Sequence, residues 1–100
     1  MIVCGLDPSL TSAGVAILRD GQPVHISHHG LAGHDGASWQ SRSRRVRWTV
    51  GKVITAALAH GTPDLVVIEG PAYGSQHGSQ FDRVGLWHGL YAALDAKRVP

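Results

Sequence analysis

MIVCGLDPSLTSAGVAIL, residues 1–18, decides the architecture. Ile2, Val3, Cys4 and Leu6 form a nearly unbroken apolar run, the pattern of a central strand with both faces covered. The run ends on Asp7, and Pro8 stops the ladder because it has no N–H to donate. An ionised carboxylate where the backbone leaves the core needs a cation or several hydrogen-bond donors, or its pKa rises until it is neutral. Ser9 to Gly14 is small and rich in hydroxyls, and it returns into a second apolar run, Val15 to Leu18. The stretch predicts strand, tight polar turn, strand, with an acid at the hinge. Ser9, Thr11 and Ser12 either orient a phosphate or a metal-bound water, or simply close that turn.

Working outward, Asp20-Gly21 between two strand-like runs is a strong hairpin signal, so Val24 to His28 is expected to pair antiparallel with Val15 to Leu18. Gly30 to Ser38 reads as a loop. Ser38 is the expected N-cap of a helix running to about His60, where Gly61-Thr62-Pro63 stops it. Val46, Val50, Val53, Ile54, Ala57 and Leu58 fall at helical spacing and give that helix one apolar face. Leu65 to Ile68 is too short for a helix and predicts a buried parallel strand, ending on Glu69 before Gly70-Pro71. Ala72 to Ser79 is a polar loop around Tyr73. A second helix follows from about Gln80 to Lys97, with Val84, Trp87, Leu90, Tyr91 and Leu94 on one side as core or dimer surface. Gly85 and Gly89 mark a face open to close approach by another backbone.

Length and composition narrow the class. One hundred residues make one small domain, 1–100, and the ordinary apolar fraction argues against disorder. The lone Cys4 sits in a predicted buried strand, which excludes a disulfide framework and points to a reducing, cytoplasmic setting. No apolar run approaches membrane-spanning length. The net charge of +2 is unevenly distributed: residues 39–60 carry Arg42, Arg44, Arg45, Arg47 and Lys52 without one acid. Such a cluster can track phosphates, while Trp39 and Trp48 beside it are expected in the core. His28 and His29 show no metal-ligand spacing with a cysteine, so a zinc site is not expected. Asp82, in a helix's first turn, is expected to answer the helix dipole.

Three antiparallel strands, a helix, a parallel strand and a helix make a mixed sheet with helices packed on it. A right-handed crossover sets the Leu65 strand beside the first, so Asp7 and Glu69 leave neighbouring parallel strands at their C-terminal ends, where sites in open α/β sheets form. Two carboxylates there coexist ionised most easily around a divalent cation, and all-oxygen ligands suit Mg2+ or Mn2+.

The segments GLDPSLTSAGVAIL, DLVVIEGPAYGSQ and GLYAAL resemble the RuvC-type Holliday junction resolvases of the RNase H-like superfamily, especially phage and bacterial members. The resemblance covers essentially the whole chain. It implies a metal-dependent, dimeric endonuclease acting on branched DNA (the four-way junction), with Asp7 and Glu69 as catalytic metal ligands. It also implies that Tyr73, with Gln76 in the same loop, contacts DNA near the crossover. The family adds acidic or His–Asp ligands from a final helix after a fifth strand, and this sequence is expected to stop before both. His77 and Asp82 are the remaining candidates for further ligands. Two other readings stay open: an actin-like ATPase fragment, although no glycine-rich second phosphate loop is present, and a non-catalytic branched-DNA-binding or dimerisation remnant.

Overall fold

The computed structural model describes residues 1–70 and 80–100. Four strands, β1 (Ile2–Asp7), β2 (Ala13–Arg19), β3 (Gln22–His29) and β4 (Leu65–Ile68), form one sheet in the order β3-β2-β1-β4. Two helices, α1 (Trp39–Ala57) and α2 (Gln80–Ala96), complete it. β1 pairs antiparallel with β2 and parallel with β4, so the expected mixed sheet and crossover are present.

Local chemistry fixes the ends of these elements. Asp20 and Gly21 both take positive φ, 52° and 81°, which is how a two-residue turn matches the right-handed twist of its strands. The Ser38 hydroxyl accepts from the Ser41 N–H at 3.1 Å, capping α1 as expected. That helix ends at Ala57, short of His60, and Gly61 takes a φ of 101° in the turn that follows. The Asp64 carboxylate accepts from the Ile2 N–H at 2.7 Å, locking the start of β4 to the start of β1. Past α2, the Pro100 carbonyl accepts from the Val66 N–H at 2.8 Å on the edge of β4 that faces away from β1.

Both helices lie on one side of the sheet. Cys4 and Leu6 of β1 and Ala13, Val15 and Ile17 of β2 meet Val53, Ile54 and Ala57 of α1 and Leu86, Leu90 and Leu94 of α2 in one buried cluster. Gly89 explains how close the helices come: a Cβ there would stand 3.0 Å from a methyl of Val50. Gly85, expected to share that role, has nothing within 4 Å. The opposite sheet face differs from expectation. Both β1 and β4 read as strands covered on two sides, yet Leu65 and Val67 are 42 % and 54 % exposed, because every described helix packs on the other face. On α2 the buried row runs through Asp82, Leu86, Leu90 and Leu94, whereas Trp87 and Tyr91 stack on each other with ring centroids 5.4 Å apart.

Asp82 lies in the first turn of α2, where an acid answers the helix dipole as expected, and it is also buried. Its carboxylate accepts two bonds from the Arg42 guanidinium, from Nε and Nη2, each at 2.9 Å. This fork ties the first turn of α1 to the first turn of α2. We expect Asp82→Ala to lower the unfolding free energy by about 2 kcal/mol in urea titration, less than for a fully buried pair because Arg42 keeps some contact with water. An unchanged urea midpoint would show that the fork contributes nothing net.

Candidate functional site

The ladder between β1 and β4 sets the site. Its register pairs Leu6 with Ile68, and the Glu69 N–H donates to the Leu6 carbonyl at 3.0 Å, carrying the pairing one residue beyond the strand. Alternation then sends Asp7 and Glu69 to the same face, opposite the helices. Both side chains are exposed, and the Asp7 carboxylate lies close enough to act on the Glu69 carboxyl. The Glu69 carboxyl holds its proton above the usual range, first through the hydrogen bond to Asp7, then through the charge on Asp7, and last through partial desolvation. The two acids thus meet at one rim of the sheet.

Across β2 the same row continues. Asp7 pairs with Gly14, and Gly14 pairs with His28 of β3. A Cβ on Gly14 would stand 3.5 Å from the Asp7 Cβ and 3.8 Å from Cδ2 of His28. The loop after Asp7 is closed by its own hydroxyls: Ser9 Oγ lies 3.3 Å from Thr11 Oγ1 and accepts from the Ser12 N–H at 3.4 Å. The Leu31 N–H donates to the Leu10 carbonyl at 3.0 Å and brings the 30–37 segment alongside.

The basic segment divides into two groups. Arg42 holds Asp82 and lies 4.0 Å over the Trp39 ring, and Arg45 Nε donates to the Leu31 carbonyl at 2.8 Å, so both guanidinium groups brace the fold. Arg44, Arg47 and Lys52 are exposed. Arg44 lines a groove of about 1040 Å³ that runs from Thr11 along the 31–37 segment to Trp48. Trp39 and Trp48 are 64 % and 39 % exposed, so the expectation that they are core is corrected: they lie outside the apolar stripe of α1. Tyr73, Gln76 and His77 lie outside the described residues. Among the described residues no group of three His, Cys, Asp or Glu is placed to hold a metal, and Asp82 lies in the helix interface rather than beside Asp7.

No protein-family model and no curated protein matches the chain. Solved structures do. RuvC of T. thermophilus in complex with a Holliday junction substrate matches with a TM-score of 0.71 at 19 % identity, over 100 % of this chain and 61 % of that one. This chain has the RuvC fold. A second structure of Thermus thermophilus RuvC gives a TM-score of 0.67 at 20 % identity with the same coverage. The chain therefore spans 61 % of the length of the RuvC chains it matches, and at this identity the likeness is one of fold. Within the RuvC fold, the four-stranded mixed sheet with both helices on one face is what sets the Asp7–Glu69 pair at the sheet rim.

Two neighbouring exposed carboxylates suit one hard divalent cation completed by water and substrate oxygens. The pH dependence follows from the raised Glu69 value. Folded protein binds more protons than unfolded chain in the window just above the ordinary carboxylate range, so the pair stabilises the fold at acid pH. That contribution is lost as pH rises through the folded Glu69 value, after which the two charges repel. In EDTA at neutral pH, Asp7→Asn and Glu69→Gln are expected to melt above the parent, with the gap closing near about pH 4. Mn2+ is expected to raise the melting temperature of the parent and of neither variant. Parent and variants that melt together in EDTA and respond alike to Mn2+ would show that the pair is not a cation site.

Proposed function

We propose that the chain is the core of a metal-dependent endonuclease that cuts branched DNA by phosphodiester hydrolysis. The observation that carries this reading is the convergence of Asp7 and Glu69 at the C-terminal ends of neighbouring parallel strands. The RuvC fold over the whole chain supports it, and one of the RuvC structures it matches holds a Holliday junction. Asp7 and Glu69 would hold Mg2+ or Mn2+, which when bound polarises the phosphate and lowers the pKa of an attacking water. Everything else falls to side chains. The carboxylates fix where the scissile phosphate lies, and their exposure on the open face lets a duplex backbone reach them.

The outward cations Arg44, Arg47 and Lys52 follow the phosphate backbone, which positions DNA without reading bases. Arg42 and Arg45 support the same groove indirectly by holding its walls. Tyr73 and Gln76 belong to this reading as DNA contacts from the segment that follows Glu69 in sequence. A homodimer would present two such sites and nick a symmetric junction twice. The cytoplasm is its natural setting, and among the described residues no helix is long and apolar enough to cross a membrane.

Incubation of the chain with a labelled four-way junction and Mg2+ or Mn2+ is expected to yield nicks near the crossover. Asp7→Asn is expected to reduce nicking by more than the roughly 10- to 100-fold that losing an outer-shell partner costs. Full activity in that variant would place the chemistry elsewhere. Junction binding without cleavage, even in Mn2+, would instead identify a non-catalytic DNA-binding core, and retention of ATP would favour the actin-like alternative.

A further inference from the structure

The histidines of β3 fall into two classes. His25 and His29 face the helices, where the Ser27 hydroxyl lies 2.8 Å from Nε2 of each, and the His25 ring packs against His60 at 5.3 Å. His28 points the other way and is exposed. It shares the sheet face of Asp7 and Glu69, separated from Asp7 by a single residue of the intervening strand, Gly14.

That residue has no side chain, and the gap it leaves is shared. The point where its Cβ would stand lies within 4 Å of Asp7 Cβ on one side and of His28 Cδ2 and Nε2 on the other. Gly5, two residues before Asp7 on the same face, is equally bare, with nothing within 4 Å of its own missing Cβ. Glycines inside strands weaken a sheet and often mark where a ligand's backbone approaches closely. Here they make a floor of main chain, walled by two carboxyl groups on one side and an imidazole on the other. Asp7 and His28 lie two strand spacings apart, about 10 Å. A phosphate group seated over Gly14 can meet both.

We propose that His28 is a phosphate-contact residue of this site, donating a hydrogen bond from its imidazole to a non-bridging oxygen of the DNA phosphate held beside Asp7 and Glu69. The contact rests on the nuclease reading of that pair and adds a member to it that the acids alone do not supply. A neutral or protonated imidazole carries a suitable N–H donor, so the contact does not require His28 to titrate. No hydrogen bond within the protein engages its ring among the described residues.

The test uses junction binding in Ca2+, which oxygen ligands hold, alongside steady-state cleavage in Mg2+. His28→Ala is expected to weaken junction binding about tenfold and to raise KM by a like factor, the loss of one charge-assisted hydrogen bond. His28→Gln, which keeps a donor on a flexible stem, is expected to recover most of it. Gly14→Val fills the gap and should reproduce the alanine effect. In NMR the His28 ring resonances, assigned by their absence in His28→Gln, are expected to shift on adding junction, while melting temperatures stay level. Unchanged binding in His28→Ala, equal loss in the alanine and glutamine variants, or ring resonances blind to DNA would each overturn the contact. A parent that binds but never cuts refutes the nuclease reading while the binding and NMR arms still decide His28, and a parent that does not bind junction refutes both.

Discussion

Repulsion between two like charges at the ends of adjacent parallel strands is the constraint around which this structure is arranged. The β1–β4 register, Leu6 opposite Ile68, allows no slack: a slip of one residue would send one of the two carboxylates into the apolar face. Apolar partners on the helix side, Cys4 with Val66 and Leu6 with Ile68, hold that register by burial, and the Asp64–Ile2 and Glu69–Leu6 bonds pin it at both ends. The core thus forces together two groups that would separate in water. Protonation of Glu69 relieves the repulsion in acid, and a cation, if one binds there, would relieve it at neutral pH.

The helices serve the same rim. The C-terminus of α1 leads into the start of β4, and α2 follows the end of β4, so both helices present their N-termini at the end of the sheet where Asp7 and Glu69 emerge. The Arg42–Asp82 fork fastens those two N-termini to each other. Arg45 does the same for the 31–37 segment through the Leu31 carbonyl, and a Cβ on Gly33 would collide with its guanidinium. Part of a basic cluster that looks like a continuous binding stripe is in this way the bracing of a groove, and Arg44, Arg47 and Lys52 are left exposed on the helix that Arg42 and Arg45 fasten.

Several features of the sequence reported their surroundings faithfully. Asp20-Gly21 specified its turn, Ser38 its cap, and the acids before Pro8 and Gly70-Pro71 their strand ends, because each depends on chemistry within a few residues. Burial was less legible. Trp39 and Trp48 look like core residues by type but are exposed, since the stripe of α1 through Val53, Ile54 and Ala57 already fills the space against the sheet. Leu86 escaped the reading because Val84, Trp87 and Tyr91 offered a competing helical stripe, and only packing against α1 chose between them.

By itself, then, the sequence determined the order of elements, the crossover, and the two acids that close β1 and β4, all consequences of local periodicity and of residues that cannot continue a ladder. The tertiary structure alone decided which face each residue of β3 takes. Counting back from the Asp20-Gly21 turn without interruption would set Gly14 opposite Ser27 and turn His28 toward the helices. A bulge between Ile17 and Leu18, facing Pro23 with its missing N–H, shifts the count by one. Because side chains alternate with period two, that one residue turns His28 outward into the row of Asp7 and Glu69, and no pattern short of the folded sheet encodes it.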